Sequence, residues 1–367
     1  MALSVEILKE ELEAKGHEVW IFAPDYPSAN SVGARVIRFP SIPSLYPKFR
    51  IALPFRGMTK KIFRDHLPDV IHSHSIFGLG RMAIQLSREF HVPLVYTLHT
   101  RFEHYTHNVE WAPEPAIRWW LDQRLRDYVR HPKSVLIPTK TYADEIRAKY
   151  GLNNVHPFYT AVRVPPLAVD GRRGIRRRLG IREKDFVFLI VGRLSREKNI
   201  DAAIEIFAHV ASEHTDTQLI VVAEGPEKHR LQKKYADTNF ARRIHWMGAV
   251  PHASKNGEPS VFDFYAAADA FLFMSQTETQ GMVLSEAMAM GLVVFALRSP
   301  ASEEIILNGQ TGVVRDSVES VVAAIRQIMR KPNEIQKISQ AARSFAQKTF
   351  GMSACASLVE NVYRSVL

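Results

Sequence analysis

Apolar positions along the chain follow two alternating periods. Val5, Leu8 and Leu12 recur at three- and four-residue intervals and so share one helical face, and Gly16 stands where a left-handed residue ends such a helix. Short apolar runs predict buried strands at Val19–Ala23 and Ala34–Phe39. Asp69-Val70-Ile71 then leads into His72-Ser73-His74, and Pro93–Thr97 leads into Leu98-His99-Thr100. An apolar run that turns polar at its end is the pattern of a parallel strand finishing at a ligand crevice. Ser134–Pro138 predicts one more strand. Between Pro165 and Asp185 the pattern changes: Pro165-Pro166 stops regular structure, and Arg172, Arg173, Arg176, Arg177, Arg178 and Arg182 crowd together. The alternation restarts with strands at Phe186–Val191, Gln218–Ala223, Arg243–Met247, Ala270–Met274, Leu292–Ala296 and Gly312–Val314, and with helices from about Asn199 and near Met282.

Such alternation predicts an α/β protein of two Rossmann-like, doubly wound domains. The expected boundaries are 1–165 for the first, 166–184 for a basic linker and 185–345 for the second. A final helix in 346–367 is expected to cross back to the first domain. One feature breaks the plan. A doubly wound domain begins with a central strand and a glycine-bearing turn, whereas this chain opens on the helix that should follow them. A central strand cannot be dropped without exposing the hydrogen-bonding edges of its neighbours. Either the true start lies upstream or the domain is rearranged; the first is expected, with the first strand missing here and the reading frame continuing upstream of Met1 for about 20–25 residues, enough for a strand and a turn.

With 46% apolar and 23% charged residues in 367, disordered and low-complexity classes are excluded. No run approaches the roughly 20 uncharged apolar residues of a membrane span. Glu6, Lys9, Glu10, Glu11 and Glu13 are unlike a signal peptide. The single Cys355 excludes an internal disulfide framework and fits a reducing cytoplasm. A net charge of +10 points to a polyanionic partner: nucleic acid, nucleotide phosphate or an anionic membrane. The basic residues are dispersed and carry no nucleic-acid motif, so nucleic acid is not expected.

Three strand-to-helix loops carry candidate chemistry. In Glu278-Thr279-Gln280-Gly281-Met282-Val283-Leu284-Ser285-Glu286, Gly281 allows close backbone approach, and the helix start at Met282 offers unpaired N–H groups and a partial positive charge. The carboxylates of Glu278 and Glu286, eight residues apart, are placed to accept hydroxyls of one extended ligand at two points. In Gly192-Arg193-Leu194-Ser195-Arg196-Glu197-Lys198-Asn199, Arg193 supplies a bidentate fork and Lys198 a point charge, a fitting pair for a diphosphate. Gly225-Pro226-Glu227 is a third glycine-bearing turn at the same sheet edge.

Gly192 to Asn199, Gly225-Pro226-Glu227 and Glu278 to Ala287, in this order and spacing, resemble the retaining family-4 glycosyltransferases of the GT-B fold. The likeness covers nearly the whole chain. It implies two domains facing across a cleft, with Arg193 and Lys198 at the diphosphate of a nucleotide-sugar and Gly192 and Gly225 among the donor-binding residues. Glu286 would bind the ribose hydroxyls; Glu278 and the backbone of Gln280, Gly281, Met282 and Val283 would hold the donor hexose. No tightly bound cofactor is implied, and at most a loosely held Mg2+, because the basic pair and the helix end replace the cation. Phe77-Gly78-Leu79-Gly80 and Tyr96 to His107 are similar to the diacylglycerol glucosyltransferase branch, in which His99 would contact the sugar near its reacting carbon. A zinc site among His72, His74, His99, His104 and His107 lacks any distinctive ligand spacing.

The resemblance thus implies a hexose, glucose from UDP-glucose first, placed on diacylglycerol. Other acceptors (a phosphoinositol or a sugar), a sugar-nucleotide epimerase and a silent lipid-binding relative stay open. Apolar and aromatic residues alternate with Lys48, Arg50, Arg56, Lys60, Lys61 and Arg64 in 41–64, as in a segment lying on an anionic membrane. The expected location is peripheral, on the cytoplasmic face of the plasma membrane. Trp111, Trp119 and Trp120 fit either interfacial anchors or core.

Overall fold

The computed structural model describes residues 2–26, 35–43, 50–99, 113–164, 171–254 and 258–367. They form two compact units, Met1–Ala161 with Met352–Leu367, and Val162–Gly351.

In the first unit, β5 (Ile71–Ser73), β6 (Leu94–Thr97), β7 (Ser134–Ile137) and β8 (Val155–Pro157) form a parallel sheet in that order. Its crossovers are α3 (Leu79–Phe90), α4 (Glu114–Arg130) and α5 (Lys140–Tyr150). α5 starts where Thr139 Oγ1 accepts from the Tyr142 amide at 3.3 Å, and it ends at Gly151, whose φ of 66° a side chain would disfavour. β1 (Ile21–Pro24) and β2 (Val36–Phe39) pair as a separate parallel ribbon. Among the described residues, β1 pairs only with β2, and β5 only with β6. α1 (Ala2–Ala14) packs on α14 (Met352–Val366) through Ile7, against Val95, Leu136, Phe158 and Val359. Burial on α1 therefore centres on Ile7 and Leu12, with Val5 at the margin.

The second unit is one six-stranded parallel sheet, ordered β11-β10-β9-β12-β13-β14. In chain order these are β9 (Phe186–Arg193), β10 (Thr217–Glu224), β11 (Ile244–Trp246), β12 (Ala270–Phe273), β13 (Val293–Leu297) and β14 (Gly312–Arg315). Except at the edge strand β11, where only Ile244 is buried, the runs predicted for them are buried on both faces, as strands covered by helices must be. α7 (Ile200–Glu213) and α12 (Val318–Met329) pack together over Phe188, Val221, Leu272 and Phe295.

The basic stretch expected to be linker carries a helix, α6 (Gly171–Arg178), lying against α9 (Val261–Ala267). Arg176 on it is only 1% exposed. Its guanidinium donates to the carbonyls of Ala267, Arg182, Glu183 and Asp185 at 2.9 to 3.1 Å and to Asp269 Oδ2 at 2.8 Å. A buried guanidinium is tolerable only when its N–H groups are matched in this way. This arginine belongs to the interior and not to a polyanion-binding surface.

Candidate active site

The chain builds the second sheet outward from β9 through β10 to β11, then returns to the other side of β9 and proceeds through β12, β13 and β14. β9 and β12 therefore flank the switch point, and ligands of such sheets bind outside the carboxyl ends of the two strands there. Both chemistry-bearing loops leave from this spot. The loop after β9 runs through a 3-10 turn, Arg196–Lys198, to Asn199 at the start of α7. The loop after β12 runs to Gly281 and into α10 (Met282–Ala289).

Two contacts tie the loops together. Ser275 Oγ donates to the Glu197 carbonyl at 3.2 Å, and Lys198 Nζ forms an ion pair with Glu278 Oε1. Arg193 is exposed beside them. Gly281 caps α10 with φ 71°, and a Cβ there would sit 3.3 Å from both Leu284 Cδ1 and Phe273 Cζ. No acidic residue lies in the first turn of α10, so the positive end of that helix is unneutralised by its own sequence. Gln280 is buried, and Met282 and Val283 are half-buried. Gly225 serves the scaffold: a Cβ on it would lie 2.4 Å from the Leu194 carbonyl oxygen. Its absence lets the Glu227 amide donate to that same oxygen at 3.0 Å, locking the third loop to the first.

Glu286 faces inward on α10 and is 3% exposed. Its Oε2 accepts a 2.9 Å hydrogen bond from Tyr265 Oη on α9, while Oε1 lies 3.9 Å from His252 Nδ1. Burial pushes the Glu286 carboxyl up to about 7, and the Tyr265 hydroxyl opposes that rise.

In the first unit the expected histidines cluster at the carboxyl ends of β5 and β6. His72 Nδ1 lies 2.6 Å from Tyr363 Oη of α14, and its Nε2 lies 2.7 Å from Thr97 Oγ1. His74 Nδ1 lies 2.9 Å from His99 Nε2. Burial holds all three rings well below the usual imidazole range, His74 at about 4, so they are neutral at physiological pH. Among the described residues, no group of three His, Cys, Asp or Glu side chains is arranged to hold a metal ion.

Tyr265, His252 and Tyr363 were not singled out in the sequence. Tyr265 and Tyr363 sit on apolar helix faces that read as core. The available signal was chemical: a buried phenol needs a partner for its hydroxyl.

The segment 41–64 is not one continuous interfacial stretch. It holds an antiparallel hairpin, β3 (Ser41–Pro43) with β4 (Arg50–Ala52), followed by α2 (Arg56–Asp65). Arg50 donates to Ser41 Oγ and to the Ser41 carbonyl at 2.8 and 2.6 Å, and Lys60 pairs with Glu89 at 2.5 Å. Lys61 and Arg64 are exposed, and so are Ile42, Leu53, Met58 and Phe55, the last by 60%. Trp119 is 66% exposed and Trp120 is also exposed, with Phe77 stacked on the Trp120 ring and the Arg124 guanidinium 5.5 Å from its centroid. Neither tryptophan is core. Lys48, the Arg56 side chain, Arg101 to His107, and Trp111 lie outside the described residues. No helix among the described residues is long and apolar enough to cross a membrane.

Comparison with known proteins agrees with this fold. The family described as Glycosyltransferase Family 4 matches residues 1–164, and that described as Glycosyl transferases group 1 matches 171–345. An alpha-monoglucosyldiacylglycerol synthase of Acholeplasma laidlawii is 29% identical, covering 99% of this chain and 93% of that protein. One of Streptococcus pneumoniae is 28% identical over 89% of this chain and 74% of its own. Among solved structures, Anabaena HepE in complex with UDP-glucose superposes with a TM-score of 0.69 at 16% identity, covering 95% of this chain and all (100%) of that one.

Proposed function

The chain is a family-4 glycosyltransferase of the GT-B fold, and on that premise we propose that it transfers glucose from UDP-glucose to diacylglycerol with retention at the anomeric carbon. The observation that carries the donor half is the meeting of Lys198, Glu278 and the free end of α10 at the switch point of the second sheet. The names of the relatives support the acceptor half.

The chemistry follows from that arrangement. The Lys198–Glu278 pair holds the site together before substrate arrives, and donor entry divides it. Lys198 turns with Arg193 to the diphosphate, and Glu278 is released to accept hydroxyls of the hexose. Leaving of the nucleoside diphosphate puts charge on phosphate oxygens, where the two cations and the N–H groups of α10 stabilise it more than in the ground state. The sugar carbon gains oxocarbenium character. The acceptor hydroxyl attacks on the leaving-group face and gives its proton to the departing phosphate, so no protein nucleophile is required. Glu286 holds the ribose hydroxyls.

Peripheral membrane binding supports access to the lipid. Ile42, Leu53, Phe55 and Met58 expose apolar surface close in sequence to Lys61 and Arg64, the combination of an anionic interface. Incubation with radiolabelled UDP-glucose and mixed lipids should give one labelled lipid, α-glucosyldiacylglycerol, with the anomer assigned by NMR. Label in a water-soluble product would overturn the acceptor, a β-anomer the retention, and an epimerised nucleotide-sugar the whole reading.

A further inference from the structure

We infer that Tyr265 is a positioning residue for the donor site: its hydroxyl aims the Glu286 carboxylate at the ligand and favours its ionised form. The inference rests on the assignment of Glu286 to the donor ribose. Glu286 is 3% exposed and has two oxygens with different surroundings. Oε2 accepts the 2.9 Å bond from Tyr265, which is fully buried in α9 and packed between Phe262 and Phe271 at ring distances of 5.9 Å. A phenol wedged in this way has little freedom, and its bond fixes the rotation of the carboxylate. Oε1 is then the oxygen presented to a ligand hydroxyl.

A buried carboxyl is costly to ionise, and this one rises to about 7 through burial, with the Tyr265 bond pulling the other way. The groups facing it are Tyr265 from α9 and His252 from the loop ahead of that helix. Burial pulls His252 below the usual imidazole range, which favours its neutral form. Tyr265 itself, raised well above the usual phenol range by burial, stays protonated and remains a donor throughout. A carboxylate accepts from hydroxyls at both oxygens, and protonation turns one oxygen into a donor and weakens the other as an acceptor. Donor affinity should therefore fall as pH drops through the Glu286 pKa. Removing the Tyr265 hydroxyl raises that pKa and moves the fall to higher pH.

The test measures donor KM, kcat and calorimetric UDP affinity between about pH 5.5 and 9, spanning carboxyl and imidazole titration. Wild type should lose donor affinity as pH falls through about 7. Tyr265→Phe keeps the ring and its packing. It should move the profile up by about one pH unit and raise donor KM at neutral pH up to about tenfold, with kcat nearly unchanged. 3-Fluorotyrosine at position 265, a more acidic donor of the same shape, should move the profile down; this second variant decides the matter if Tyr265→Phe melts early. Glu286→Gln should raise KM at every pH and flatten the profile. A wild-type profile in both position-265 variants, with Glu286→Gln still impaired, overturns the inference alone. An unimpaired Glu286→Gln overturns the ribose assignment and the inference with it.

Discussion

Replacing Arg176 by Met tests whether the basic run of α6 is structural. Met fills the volume of the aliphatic stem and removes every donor. Asp269 would not be orphaned, because Arg172 Nη2 and the Val187 amide each still donate to it at 2.8 Å. The carbonyls of Ala267, Arg182, Glu183 and Asp185 would lose the guanidinium together. The Arg182 carbonyl keeps the Asp185 amide at 3.1 Å, so three carbonyls lose their donor; at about 1 kcal/mol each the loss is about 3 kcal/mol, at the lower end of the range of about 3–5 kcal/mol for removing one partner of a buried ion pair. The second unit spans Val162–Gly351, a size for which the urea dependence is about 3 kcal/mol per molar. Its urea midpoint should thus fall by about 1 M, read by loss of exchange protection in Phe186–Arg193 peptides. Arg176→Lys should fall nearly as far, since one ammonium cannot reach five acceptors. Arg177→Met, on the exposed side of the same helix, should change stability by less than about 0.5 kcal/mol. Equal, small effects at 176 and 177 would refute the reasoning and return α6 to the status of a charged surface.

At the donor site, Lys198→Ala and Glu278→Gln should each lower turnover by about 2–4 kcal/mol of transition-state stabilisation, at least thirtyfold, with unchanged circular dichroism; normal turnover in either would remove that residue from the site. Gly225→Ala should destabilise the second unit by about 1–3 kcal/mol through the clash with Leu194, seen as a lowered melting temperature. The double change Lys61→Gln/Arg64→Gln should weaken sedimentation with phosphatidylglycerol vesicles, by about 1 kcal/mol per charge, while sparing UDP-glucose hydrolysis. Lys60→Gln, whose ammonium is held by Glu89, should do less. Equal binding of wild type to neutral and anionic vesicles would dismiss the electrostatic part.

The strands of the second unit were legible because a sheet covered on both faces demands unbroken apolar runs such as Phe186–Val191 and Ala270–Met274, and short-range pattern encodes that demand. Glycine-bearing loops at their ends marked the ligand edge for a local reason too: Gly281 stands at φ 71°, a conformation that favours glycine. What pattern could not encode was partnership over distance. Arg176 read as one of six similar arginines, and only Asp269, 93 residues on, and the carbonyls around it decide that it goes inside. Gly225 is legible in the sequence as a glycine-bearing turn at the ligand edge, but its close packing on Leu194, from the neighbouring strand's loop, is not. Likewise Tyr265 and Tyr363 carry the same apolar signature as core residues, because helical period reports only the face. Whether a buried hydroxyl meets a carboxylate 21 residues away or an imidazole 291 residues away depends on which helix packs there, and that is settled by the assembled layers.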